Sequence, residues 1–236
     1  MPLYLNDEQS VLFLHIPKTA GTTIESWLEG SGKYEQLLFA QKRPEDLMVT
    51  PQHLGYETLT QITHGVKRPL EYKFAIVRNP FDRLVSEFFY RIKLDNIRLG
   101  DKPEDLFSSW VTHNLIKFKN NKSILDNHLR PQSYYVSNDV DVFKFEDGVQ
   151  KIIKNVGEKL GIEVSNEIKA KKVSIRKDVL WSKTAIDLTL EIYADDFKEF
   201  NYPTDSYRSG LIQSKYKIYK GYAQYIYWSL ERKVRS

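Results

Sequence analysis

Val11-Leu12-Phe13-Leu14 is an unbroken apolar run that ends at His15, turns at Pro17-Lys18, passes Gly21 and becomes helical after Thr22 and Thr23. A run this short, closed by turn residues, predicts a strand, and the pattern after it predicts a helix. The same order recurs at Tyr72 to Val77, which leads through Arg78-Asn79-Pro80 into a helix from about Phe81 to Leu94, with Phe81, Leu84, Val85 and Phe88 on its core face. Between the two, a short helix is expected from Gly55 to Ile62. A third strand, Val140 to Phe145, runs into Glu146-Asp147 and a helix through about Leu160, with Gly161 as its C-cap. Apolar strands each followed by a helix predict an α/β fold, a central, mainly parallel sheet flanked by helices in three layers. Ligands of such sheets bind at the carboxyl ends of the strands, which puts the turns at Lys18 and Arg78 on one edge.

Composition narrows the class without naming it. The 236 residues suit one α/β domain over 1–236, with no repeat, low-complexity tract or linker to divide it. A balance of 35 Lys and Arg against 31 Asp and Glu is too mild for a general nucleic-acid binder but compatible with a local anion site. The absence of cysteine excludes disulfides, a thiolate zinc site and a cysteine nucleophile. MPLYLNDEQS does not have the layout of a signal peptide, and no segment nears 20 continuous apolar residues, so a cytoplasmic protein without a transmembrane segment is expected.

The turn itself predicts a phosphate site. The first amides of the helix after Gly21 have no intrahelical acceptor, the helix dipole favours an anion there, and Lys18 and the threonines add donors. It is not a Walker A loop, in which the lysine follows the glycines; here Lys18 precedes Gly21. Arg78 closes the second strand and Ser86 lies about two helical turns further on, so that both can address one phosphate. Asp82 with Arg83, and Glu87 with Arg91, are expected as ordinary surface charges.

These residues carry a resemblance. HIPKTAGTT, from His15 to Thr23, resembles the 5′-phosphosulfate loop of sulfotransferases that use 3′-phosphoadenosine-5′-phosphosulfate (PAPS), and FAIVRNPFDRLVSEFFYR resembles their 3′-phosphate segment. PQHLGYETL, HLRPQSYYV, VFKFED, the SIRK segment and YADDFKEFNYP are similar, in order, to the carbohydrate branch related to heparan and chondroitin sulfotransferases, over roughly Val11 to Pro203. The resemblance implies a P-loop-like domain and sulfuryl transfer from PAPS to an acceptor hydroxyl, with adenosine 3′,5′-bisphosphate as product and no metal. It implies that Lys18, Thr19, Ala20, Gly21, Thr22, Thr23, Arg78 and Ser86 hold the donor, that Lys18 stabilises the leaving phosphate, and that a glycan is the acceptor. Ser174 and Arg176 fall in the basic segment that approaches the nucleotide in relatives, and otherwise belong to a solvated loop.

A base is needed for the hydroxyl, and His53 is the candidate, being able to take a proton near neutral pH. Glu57 and Glu146 are alternatives. His15 is expected as a hydrogen-bonded structural residue, and His64 and His113 as solvated. His128, Arg130 and Gln132 are expected on the acceptor side of the cleft. Acceptor choice is expected from the loop between about Leu94 and Gln132, where Arg98, Lys102, Lys117, Lys119 and Lys122 face an acidic substrate or water. No His, Asp or Glu cluster has metal-ligand spacing along the chain.

Beyond the resemblance, Tyr216, Tyr219, Tyr222, Tyr225 and Trp228 recur at three-residue steps in a helical segment of about 211–232. They are expected to form one drifting stripe that packs the helix onto the domain, or serves as a sugar-stacking wall, a dimer face or a surface attachment. Two other functions fit the sequence: a P-loop small-molecule kinase, disfavoured because the second strand ends in Arg78 rather than a magnesium-binding Asp, and a non-catalytic nucleotide or glycan-binding module.

Overall fold

The computed structural model describes residues 2–40, 42–63, 70–94, 103–164, 179–207 and 215–235. In chain order the strands are β1 (Leu3–Leu5), β2 (Ser10–Leu14), β3 (Glu35–Leu37), β4 (Tyr72–Val77) and β5 (Asp141–Lys144). The α-helices are α1 (Gly21–Gly30), α2 (Tyr56–Thr63), α3 (Pro80–Leu94), α4 (Phe107–Asn120), α5 (Val149–Leu160), α6 (Lys183–Ile192), α7 (Ala194–Glu199) and α8 (Lys215–Arg235). The chain divides into two compact units, Met1–Arg78 with Leu125–Val173, and Asn79–Ile124 with Ser174–Ser236.

The first unit holds the sheet, in the order β3-β1-β2-β4-β5. β2, β4 and β5 are parallel, with Val11 opposite Tyr72 and Leu14 opposite Ala75 on one side, and Phe74 opposite Asp141 on the other. All five residues of β2 and the last four of β4 are buried, which is why their sequences are apolar without alternation. Two antiparallel strands that sequence reasoning missed extend this parallel core. β1 is joined to β2 by a tight turn in which Asn6 Oδ1 accepts from the amides of Glu8 and Gln9, and β3 pairs with β1. At three residues each, β1 and β3 are too short to show a period.

One face of the sheet packs on α1 and α5. Val11, Phe13, Phe74 and Ile76 form a cluster with Ile24 and Leu28 of α1 and Ile152, Ile153, Val156 and Leu160 of α5. α5 ends as its sequence predicts, with Gly161 at φ 61°, a left-handed position suited to glycine. Gly157 admits the returning chain: a Cβ there would stand 2.5 Å from Val164 Cγ2.

The second unit is helical and strongly aromatic. Asn79 starts α3 by accepting the Phe81 amide on its side chain, with Pro80 in the first turn. Phe88, Phe107, Trp110, Trp181 and Phe81 form a chain of ring contacts with centroids 4.7 to 5.5 Å apart. Arg83 and Glu87 are not the surface charges expected: they are 2% and 1% exposed, Arg83 lying over the Tyr193 ring and Glu87 accepting from Arg91 at 2.6 Å. Buried charge persists only where it is paired, and this pairing is invisible in the amphipathic pattern of α3. The span expected to be an acceptor loop carries α4, a 14-residue helix with most of its side chains buried. Within it Lys119 pairs with Glu191 and Lys122 lies over the Phe118 ring, while Arg98 and Lys102 lie outside the described residues. His113, expected in solvent, is half-buried with its ring 4.6 Å from Tyr225, and burial lowers its pKa. Among the described residues no helix is long and apolar enough to cross a membrane.

Ile153 is fully buried where α5 meets the sheet. Ile153→Ala is expected to destabilise the protein by about 2–5 kcal/mol through lost contacts and the cavity left behind, read as a lower midpoint in urea unfolding.

Candidate active site

The site grows from the turn that leaves β2. Lys18 and Ala20 sit at φ 73° and 75°, left-handed conformations that disfavour any side chain. Such residues just ahead of a helix make the nest-like arrangement that gathers amide donors toward an anion. The amides of Thr23 and Ile24 close the first turn of α1 onto the Ala20 carbonyl. No acidic side chain occupies that first turn, so the positive end of the helix dipole is not offset there. The Thr19 hydroxyl is committed to the Ile16 carbonyl at 2.8 Å in a fully buried residue, which leaves its side chain no role toward a ligand. Thr22 is exposed, and Lys18 is half-buried.

Gly21 is required by a neighbour. A Cβ on it would lie 2.2 Å from His15 Nε2, so the imidazole rests flat against the bare backbone. The other ring nitrogen, Nδ1, is 2.5 Å from Oε1 of the buried Glu25, one helical turn along α1. His15 is therefore the hydrogen-bonded structural residue that its position suggests, locked at the mouth of the turn.

Arg78 arrives beside this turn because β4 lies parallel to β2. Its guanidinium donates to the Lys18 carbonyl at 3.3 Å and stacks over Phe145 at 4.5 Å. Its backbone is clamped at both ends by one side chain: Gln132 accepts from the Arg78 amide and donates to the Arg78 carbonyl, each at 2.8 Å. Gln132 is fully buried, so it acts on the site through Arg78.

A row of imidazoles leads from the turn. His53 stands edge-on to His15 at 5.4 Å and to His128 at 4.7 Å. His53 Nδ1 is 2.7 Å from Asp126 Oδ2, and Asp126 also accepts from the Thr50 hydroxyl and the Thr50 amide, each at 2.7 Å. A carboxylate on Nδ1 selects the tautomer that keeps the Nε2 lone pair available, the arrangement by which a carboxylate orients a catalytic imidazole. The His53 pKa is not the near-neutral one expected: burial pulls it down to about 3 against the opposing bond from Asp126, so the ring is neutral at ordinary pH. For Asp126 burial pushes upward, but the bonds from His53 and Thr50 outweigh it and hold the carboxyl below the usual range.

Asp126 is delivered by unusual backbone. Leu125, Asp126 and Asn127 have φ of 52°, 60° and 62°, three consecutive left-handed residues, none of them glycine. For Leu125 this costs roughly 1–2 kcal/mol, less for Asp126 and Asn127, whose short polar side chains tolerate it, and strain of this kind persists only when its surroundings fix it. Asn127 supplies that fixing, donating to the His53 carbonyl while its own carbonyl accepts from Tyr135, both at 2.9 Å.

Sequence reasoning singled out His53, Lys18, the loop and Arg78, which the fold brings near one another, but not Asp126, Glu25 or Thr50. Asp126 lies 73 residues from its partner in a polar stretch with no periodic signal. Arg130, expected near the acceptor, lies over the Tyr134 ring at 4.3 Å, and Tyr134 itself packs on Gly55. Glu57 and Glu146 are exposed, unlike His53. Ser86 is half-buried on α3 in the second unit, and Ser174, Arg176 and His64 lie outside the described residues.

His53, Asp126 and His128 each offer a ligand atom within 4.8 Å of the others, a proximity that their spacing along the chain conceals. With Asp126 accepting three hydrogen bonds and His53 Nδ1 engaged by one of them, the arrangement suits proton handling at His53 Nε2.

Because His53 is held neutral in the folded chain while an unfolded histidine titrates near 6.5, the unfolded state binds more protons between about pH 6.5 and 3. Stability is expected to fall as pH drops through that window, with Asp126 adding to the loss at its acid end. His53→Gln is expected to flatten the decline, measured as melting temperature against pH.

No curated protein and no solved structure matches the chain. A family model described as "Sulfotransferase family" matches residues 1–203, which include the turn at Lys18, Arg78 and the His53–Asp126 pair. That span covers most of the 236 residues and ends before α8. The chain belongs to the sulfotransferase family, whose chemistry is the transfer of a sulfuryl group from a donor.

Proposed function

We propose that this protein transfers a sulfuryl group from PAPS to an acceptor hydroxyl, most plausibly of a carbohydrate, with His53 as base and Lys18 at the leaving phosphate. The observation that carries the proposal is the His53–Asp126 pair, which lies one imidazole away from the anion-binding start of α1. The donor set fits the group: the amides at the start of α1, Lys18 and Thr22 suit one phosphate, and Arg78 suits another. When bound, PAPS supplies a sulfuryl group already joined to a phosphate that can leave.

Each residue then has a task. Lys18 and the first amides of α1 neutralise charge that grows on the phosphate oxygen as its bond to sulfur breaks. His53 Nε2 takes the proton of the acceptor hydroxyl as that oxygen bonds to sulfur, and Asp126 stabilises the imidazolium. Gln132 keeps the Arg78 backbone in place so that its guanidinium meets the nucleotide end. Positioning and electrostatics supply most of such catalysis, as in the related transfer of phosphoryl groups, and no metal enters the proposal. The carbohydrate acceptor rests on the PQHLGYETL and HLRPQSYYV segments and their likeness to that branch.

Titration calorimetry with adenosine 3′,5′-bisphosphate is expected to show binding that survives a chelator and is weakened at least tenfold by Arg78→Ala and by Lys18→Ala. His53→Ala is expected to retain that binding and to lose about 10²–10⁴ in turnover on an accepted glycan. Binding of magnesium ATP but not of the bisphosphate would point to a kinase instead, and full turnover by His53→Ala would remove the base assignment.

A further inference from the structure

α8 is apolar on two opposite faces, and one of them is buried against the rest of the second unit. The inner face is pinned: a Cβ on Gly221 would lie 2.8 Å from Ser109 Oγ and 2.9 Å from the Asp105 carbonyl, Tyr225 packs on His113, and Trp228 is 3% exposed. These contacts set the roll of the helix. The three-residue steps of the tyrosines lag an α-helical turn by about 60° each, so the expected stripe splits, with Tyr225 and Trp228 inward and Tyr216 and Tyr219 outward.

The outward face is continuous. Tyr216 is 74% exposed, Tyr219 71%, Ile226 58%, Tyr227 65% and Leu230 58%, and the exposed Ala223 lies among them. A helix that packs on one domain needs one apolar face. Positions 216, 219, 223, 226 and 230 advance by three and four residues in turn, the spacing of a helix-to-helix seam.

Part of the face is symmetric about Ala223, the counterpart of Ile226 being Lys220. Tyr219 and Tyr227 stand four residues either side of Ala223, and Tyr216 and Leu230 stand seven. A small residue at the centre permits close approach of two backbones, and an isologous pair requires one patch complementary to itself.

We propose that α8 pairs antiparallel with α8 of a second copy of this chain, crossing at Ala223, with Tyr219 of each copy against Tyr227 of the other. With aromatic side chains contributing about 150–250 Å² when buried, the exposed fractions here amount to roughly 600 Å² per copy. The pair then buries about 1,200 Å², the lower end of stable interfaces, and the patch is at the upper end of what soluble monomers leave open. A bilayer is the weaker occupant. A helix lying on lipid turns a polar face to water, whereas the face of α8 opposite the patch is already buried against α4 and the Pro103–Leu106 turn.

Sedimentation equilibrium of the full chain over a broad dilution series is expected to approach twice 27.8 kDa at its concentrated end. The double variant Tyr219→Glu, Ile226→Glu is expected to halve that mass with an unchanged circular dichroism spectrum. Since the chain has no cysteine, Ala223→Cys provides a single thiol, which is expected to cross-link two chains on oxidation. A single-chain mass throughout, with no cross-link from Ala223→Cys, overturns the proposal. Single-chain mass together with flotation on phosphatidylcholine and phosphatidylglycerol vesicles, lost in the double variant, overturns it in favour of a bilayer.

Discussion

The site depends on the parallel pairing of β2 with β4. Adjacent parallel strands must release their chains at the same edge, so the turn carrying Lys18 and the residue Arg78 meet whatever the intervening sequence does. The pairing is secured by the stack of Phe13 on Phe74, with ring centroids 4.9 Å apart, and by the cluster formed with α1 and α5. That cluster also anchors the beginning of α1, which presents its amides. The helix cannot shift without disturbing His15, whose ring lies on Gly21 and whose Nδ1 is tied to Glu25 further along the same helix. The apolar core and the turn at Lys18 are thus two ends of one piece of chain.

Departures from relaxed backbone gather near the chemistry. Of the seven described non-glycine residues with positive φ, five are Lys18, Ala20, Leu125, Asp126 and Asn127. The first two shape the turn and the last three aim the carboxylate at His53. Between them stands an imidazole removed from water, kept neutral by burial and kept in one tautomer by Asp126. A buried histidine is easily left with an idle nitrogen; here the Nδ1 side is satisfied, which directs reactivity to the other nitrogen.

What could be read from the sequence follows from the range of each signal. β2 and β4 appear where their apolar runs are closed by turn residues, and α3 and α5 where a helical period is long enough to read, α5 with Gly161 as its stop. The short β1 and β3 show no period, and their pairing with the sheet is a tertiary choice. Arg83 and Glu87 read as surface charge because a helical pattern cannot reveal that Tyr193 and Arg91 receive them indoors. Of the paired side chains His53 and Asp126, His53 was singled out through a local motif, whereas Asp126 was hidden by 73 intervening residues.

The left-handed run at Leu125–Asn127 has an evolutionary consequence. Glycine would adopt the conformation at position 125 without a steric penalty, so that substitution would relax the chain there. The same change would widen the set of backbone states next to Asp126 and blur its aim. A lineage in which the aim of Asp126 at His53 matters therefore has reason to keep a side chain at 125, and one in which it does not would be free to drift to glycine.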